Sequence, residues 1–168
     1  MQLDANLKLV DIDEDHVKGV AFNLVLLIWR YRTQLEAHRA SRGLVTQMAA
    51  QQPTPIGVMQ VVETSAVPPD SETRKDFGAM LRLPGIGHFC VTHEGSGFKA
   101  ASVRAIVSGV HALSRPAFPH AVHDTIANAA QWAAAQNQSL GAPSNAAAIE
   151  QALQTLRRLH VERYPPKR

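Results

Sequence analysis

The apolar residues change their period along the chain, and each change marks an element. "NLKLVDI" (Asn6 to Ile12) alternates apolar and polar positions, the period of a half-buried strand. "DEDH" (Asp13 to His16) is a polar turn, and the acidic "DIDED" around it reads as a charged hairpin tip, since it lacks the glycine and terminal glutamate of a calcium loop. "VKGVAFNLVLLIWR" (Val17 to Arg30) is then apolar on both faces, with Phe22, Leu24, Leu26 and Ile28 on one side and Val25, Leu27 and Trp29 on the other. That pattern predicts one long, central strand, paired with the first through a short link.

From Thr33 the period lengthens. Thr33 and Glu36 have the spacing of a capping box, and Leu35, His38, Val45 and Met48 share one face of a helix running to about Ala50, where "QQPTP" stops it. "IGVMQVVET" (Ile56 to Thr64) is a third strand. After the loop "SAVPPDSET", Asp70 or Ser71 caps a short helix to about Leu83, and "IGHFCVTHE" (Ile86 to Glu94) is a fourth strand. Gly95-Ser96-Gly97 turns into a helix from Phe98 to about Ser114, with Phe98, Val103, Ile106, Val107, Val110 and Leu113 as its apolar face. A short edge strand follows (His120 to Asp124), and Asp124 is expected to cap the alanine-rich helix after it. A last helix, Asn145 to Arg163, carries Ile149, Leu153, Leu156 and Leu159 in one stripe.

The order is β-β-α-β-α-β-α-β-α plus an additional C-terminal helix. It predicts an α/β fold with a mostly parallel central sheet flanked by helices, and an antiparallel edge from the opening hairpin. The expected organisation is an α/β domain over 1–136, a linker over 137–144, an amphipathic helix over 145–163 and a tail over 164–168. The linker lets the last helix fold back on its own sheet, the favoured arrangement, or dock on a second copy, so the chain is expected as a monomer or as a homodimer through that helix.

Composition sharpens this only in places. At 168 residues the chain is one domain by length, and 45% apolar residues with 18% charged is a globular balance. The single cysteine, Cys90, excludes an internal disulfide and fits a reducing compartment. The start has no signal-peptide pattern, and the longest apolar run, Val20 to Trp29, is half the length of about 20 that a membrane helix needs. A soluble, cytoplasmic protein without a membrane span is expected. The formal charge is +3, but the basic residues are scattered rather than massed in a stripe, so no nucleic-acid partner is expected.

Candidate chemistry is sparse. In "EGSGFKAASVRA" one residue separates the glycines and phenylalanine stands where a P-loop needs lysine, while a dinucleotide loop would need a third glycine where Ala100 stands. The stretch reads as a tight turn, with Phe98 dropping into the core. Ser96, Gly97 and Lys99 are the weak anion-binding alternative, by the free N–H groups of a helix start. His88 and Cys90 share a strand face, but His120 and His123 have opposite parity and no second cysteine supports them, so no metal is expected. No nucleophile–base pair and no cofactor motif emerges, and no enzymatic activity is predicted.

The order and lengths of the elements over Asn6 to about Ala135 resemble the STAS domain, known best from anti-sigma-factor antagonists, and its SEC14-like lipid-binding relatives. They also resemble a broad bacterial group of STAS-like proteins with an apolar strand ending in Trp-Arg, an "EGSGFKAASVRA" turn and helix, and a terminal alanine helix with Trp. In antagonists the loop after the third strand carries an Asp-Ser pair whose serine is phosphorylated by a partner kinase. The corresponding loop here is Glu63 to Glu72, stretched by Pro68 and Pro69, with Asp70-Ser71 at its end and Glu72-Thr73-Arg74-Lys75 at the helix start. The resemblance implies a regulatory module that binds a protein partner, with Ser71 as phosphoacceptor and Asp70, Ser71, Arg74 and Lys75 as its interaction surface. The plain alternative for Ser71 or Asp70 is a helix cap. The alternatives for the whole chain are a small-ligand or lipid-binding module and a specific-partner, immunity-like protein.

Overall fold

A computed structural model describes residues 2–4, 6–143 and 145–166. Its first part is an antiparallel arm of β1 (Gln2–Asp4), β2 (Leu7–Ile12), β3 (His16–Ala21) and β4 (Leu24–Trp29). From β4 the chain alternates: α1 (Leu35–Gln51), β5 (Ile56–Val62), α2 (Ser71–Met80), β6 (Ile86–Thr92), α3 (Gly97–Ser114) and β7 (His120–His123). Strands β4 to β7 pair in parallel, and all seven strands lie in sequence order across one sheet. Two helices close the chain, α4 (Ile126–Ser139) and α5 (Ala146–Arg163). The expected α/β class is borne out, with a sheet flanked by helices that is parallel from β4 onward.

The strand order dictates the layers. Each parallel crossover advances one place in the same direction, and connections of one hand then place all their helices on one face. Accordingly Val25, Leu27 and Trp29 of β4, Val58 of β5 and Phe89 and Val91 of β6 pack against Val45 of α1, Phe77 and Met80 of α2 and Val107 and Val110 of α3. The opposite face, with Leu24, Leu26, Ile28, Met59, Val61 and Cys90, is left for the last two helices. Ala129, Ala130 and Ala133 of α4 and Ile149, Leu153 and Leu156 of α5 cover it. Ile149, Leu153 and Leu156 of the α5 stripe are thus buried within this same chain, whereas Leu159 is half-buried and His160 continues the buried face.

Several local expectations are corrected. Val17 to Arg30 is two strands rather than one: Phe22 and Asn23 form a two-residue turn with Phe22 at φ 58°, and β3 folds back on β4 with Ala21 opposite Leu24. A positive φ at the first turn residue matches the twist of a hairpin, and a phenylalanine in that place conceals the turn. Asn23 holds it to β5, its Nδ2 donating to the Pro55 carbonyl at 3.1 Å and its own carbonyl accepting from Gly57 N at 3.0 Å. The capping box at Thr33 does not form. Gln34 is the N-cap without a side-chain cap bond, because its Nε2 donates to Asp15 Oδ2 at 2.6 Å. Asp15 is itself buried, so the acidic turn is more than an exposed tip. Thr125, not Asp124, caps α4, its hydroxyl accepting from Asn128 N, while Asp124 accepts from the Asn128 side chain.

Phe98 and Leu113 of α3, expected in the core, are 89% and 86% exposed. The buried face of α3 instead runs through Ala100, Val103, Val107, Val110, His111 and Ser114. The segment 137–144 is not all linker, since α4 continues to Ser139 and Asn137 is fully buried. Its Oδ1 lies 2.8 Å from His88 Nε2, and its Nδ2 donates to the Pro143 carbonyl at 3.2 Å, fixing the turn into α5.

One close approach is testable. A Cβ on Gly57 would stand 2.2 Å from His88 Cε1 and 2.5 Å from Leu24 Cδ2, and the Asn137 bond keeps the His88 ring from retreating. Gly57→Ala is expected to destabilise the fold by about 3 kcal/mol, at the upper end of overpacking, as a lowered midpoint in urea unfolding.

Candidate functional site

The carboxyl ends of β4, β5 and β6 feed the amino ends of α1, α2 and α3, and the connecting loops close over this edge of the sheet. The loop 63–70 is tied down by backbone geometry. Glu63 N donates to the Trp29 carbonyl at 2.8 Å, Val67 N to that of Tyr31 at 2.7 Å, and Ser65 Oγ to that of Arg30 at 2.7 Å. Arg157 of α5 anchors the two strand ends from the other side, its Nε 2.7 Å from Glu63 Oε1 and its Nη2 2.7 Å from Glu94 Oε2.

Beneath this loop lies a narrow cavity of about 50 Å³, between the sheet and the three crossover helices. Its wall is mostly apolar (Val62, Val67, Phe77, Val103 and Val107) with Trp29, Thr33, His38, Gln60 and Thr73 as the polar members. His38 and Asp76 form a buried pair here, Nδ1 to Oδ2 at 2.7 Å, and Arg42 Nη2 holds the other carboxylate oxygen at 3.0 Å. The His38 ring stacks on Trp29 at 5.9 Å and meets Phe77 edge-on at 6.0 Å. Burial lowers its pKa, and the Asp76 hydrogen bond only partly offsets that. A neutral ring that donates from Nδ1 presents Nε2 as an acceptor.

The expected interaction residues lie on the other side of α2. Asp70 is the N-cap, its Oδ1 accepting from Thr73 N at 2.8 Å, and that amide holds its carboxyl below the ordinary range. Ser71 is the first helical residue and is exposed, so capping falls to Asp70 and the Ser71 side chain is accessible. Arg74 and Lys75 are exposed beside it, and Lys75 Nζ is 2.7 Å from Glu72 Oε1. An open groove of about 530 Å³ runs between α2 and α3, with Ser71, Arg74, Lys75 and Arg82 on its α2 side and Ile106, Val110 and Leu113 on the α3 side.

The structure disperses the remaining candidates. Ser96 precedes α3 without a side-chain cap bond, and Gly97 supplies the turn with φ 75°. Lys99 Nζ donates to the Thr64 carbonyl at 2.5 Å, a strap across to the loop after β5 rather than a contact at its own helix start. Cys90 is fully buried and burial pushes its thiol up to about 12, which makes it a core residue. His88 belongs to the Asn137 contact, and His120 lies against His111, ring centroids 4.5 Å apart. Among the described residues no group of three His, Cys, Asp or Glu is placed to hold a metal ion. Among them too, no helix is long and apolar enough to cross a membrane.

The His38–Asp76 pair escapes sequence reasoning because its members are 38 residues apart on separate helices. The available signal was polar residues inside apolar stripes: His38 beside Val45 and Met48 on α1, Thr73 and Asp76 beside Phe77 and Met80 on α2. Compared with known proteins, the chain matches no protein-family model, no curated protein and no solved structure.

Two predictions arise from this packing. Asp76→Ala removes the shared acceptor of His38 and Arg42 and is expected to cost about 3 kcal/mol, at the low end for a broken buried pair because Arg42 is partly solvated; urea unfolding measures it. The second concerns pH. Burial lowers His38, His88, His111, His123 and His160 below the ordinary 6.5, His111 to about 4. As pH falls through 6.5 the unfolded chain therefore takes up protons that the folded chain does not. Their stabilising contribution is complete above 6.5 and is lost progressively down to the folded values. The denaturation midpoint is expected to fall steadily between about pH 7 and pH 4, and less steeply in His111→Gln.

Proposed function

We propose that this protein is a non-enzymatic interaction module that binds an acidic, amphipathic segment of a partner protein in the α2–α3 groove, under the control of Ser71. The observation that carries the reading is the groove itself. Its α2 side presents Arg74, Lys75 and Arg82, and its α3 side presents Leu113 at 86% exposure. An apolar strip beside a basic rim fits a helix with hydrophobic anchors on one face and carboxylates flanking them. Three basic groups with no aromatic stacking platform favour a protein over a nucleic acid here.

Phosphorylation of Ser71 would act on the same rim. The phosphate adds about two negative charges at the start of α2, where the helix dipole favours it. Arg74 and Lys75, one turn on, are its nearest cationic neighbours in sequence and lose their attraction for an acidic partner once they face it. Such a switch is what the resemblance to STAS domains implies for Ser71. The reading rests on the exposure of Ser71, the groove beside it and the charge of its rim.

A photo-cross-linking amino acid in place of Leu113 tests it, with Val10, exposed on β2, as the control position. A discrete protein adduct is expected from position 113 and not from position 10. Arg74→Glu with Arg82→Glu is expected to reduce it about tenfold, and Ser71→Asp to weaken it. An adduct indifferent to all three charges, or none from position 113, overturns the reading.

A further inference from the structure

The cavity at the carboxyl ends of β4 to β6 is separate from that groove, and its polar atoms are arranged for a ligand. Trp29 and Thr73 are 1% exposed and His38 is 2% exposed, so all three side chains are buried. Trp29 Nε1 has no hydrogen-bond partner among the described residues. Buried polar groups are paired in the great majority of cases, and an orphan calls for an explanation. His38 adds an acceptor, because Asp76 fixes the proton of the neutral ring on Nδ1. The site thus offers an indole donor and an imidazole acceptor, set in an apolar wall.

Charge and size narrow the occupant. The Asp76 carboxylate is already compensated by Arg42, so nothing in the cavity offsets the cost of burying an ion. A volume of about 50 Å³ is well below the roughly 150 Å³ that accommodates benzene. The enclosed part therefore takes a few heavy atoms and not a ring. A hydroxyl is the smallest organic group that donates and accepts from one neutral atom, and the apolar wall favours an alkyl chain behind it over water alone.

We propose that this cavity binds the hydroxyl end of a small aliphatic alcohol. The hydroxyl donates to His38 Nε2, and the alkyl part lies against Phe77, Val103 and Val107 and leads out beneath Val67 and Pro68. The site requires no partner protein, so it stands or falls apart from the α2–α3 groove.

The test compares 1-butanol with its isomer diethyl ether, which matches it in composition but has no donor. The chain has two tryptophans, so Trp132→Phe leaves Trp29 as the sole indole reporter in the cavity wall. A saturable change in Trp29 fluorescence with 1-butanol is expected, with diethyl ether at least about tenfold weaker. His38→Phe keeps a ring but removes the acceptor, and is expected to abolish the preference. Asp76→Asn, whose amide can donate to His38 Nδ1 and so shift the ring proton to Nε2, is expected to narrow it should the phenylalanine variant fold poorly. Equal binding of the two isomers, a preference that survives both variants, or no saturable change with 1-butanol in the folded protein overturns the proposal. The last result would leave the cavity to water.

Discussion

Strand β4 is the element on which the rest of the molecule depends. All six of its residues are buried, so both faces must be covered by something else in the chain. Hydrophobic burial gains about 25 cal/mol per Å² only when apolar surface actually leaves water. The crossover helices cover one face, by the geometry of parallel connections. The other face is served by no crossover, and this is the physical reason for α4 and α5. Without them Leu24, Leu26 and Ile28, with Met59 and Val61 beside them, would line an open sheet face. The terminal helices are thus a second layer of the core, and the Arg157 contacts with Glu63 and Glu94 tie that layer to the strand ends where the cavity lies.

How much of this the sequence discloses depends on the range over which each feature is determined. Elements with a sustained period were legible: the two-sided apolarity of Leu24 to Trp29, the heavily buried β5 and β6, and Ile149, Leu153 and Leu156 of the α5 stripe emerge as read. Features set by a single backbone angle or a distant partner were not. The β3–β4 turn lacks a turn sequence and is held by the distant Pro55 carbonyl and Gly57 amide. The N-cap of α1 yields to the side chain of Asp15, nineteen residues away. Phe98 and Leu113 fit the helical period but sit at the two ends of α3, where no neighbouring element reaches over them. Periodicity reports which face is apolar, and only the fold decides how far along that face the core extends.

The candidate sites divide along the same line. Ser71, Arg74 and Lys75 were visible because they are local, being consecutive turns of one short helix. The groove they border was not visible, since its other wall comes from α3 and its apolar edge is a residue assigned to the core. The His38–Asp76–Arg42 cluster joins two helices through a separation that no local pattern encodes.

Both sites nonetheless share α2, and its length makes that consequential. Ten residues are too few for a helix to persist in water without tertiary support. Its position is therefore set by the face it buries: Thr73, Asp76, Phe77 and Met80, with Asp76 clamped between His38 and Arg42. The opposite face, with Ser71, Arg74 and Lys75, has no comparable hold of its own, since its visible ion pair, Lys75 with Glu72, lies within the helix and is solvent-exposed. The placement of the exposed basic rim is thus inherited from the contacts in the cavity. A change that loosens Asp76 displaces Arg74 as well, whereas a change of charge at Arg74 leaves the cavity intact. The dependence runs from the buried face to the exposed one because only the buried face carries enough contact energy to fix a helix this short.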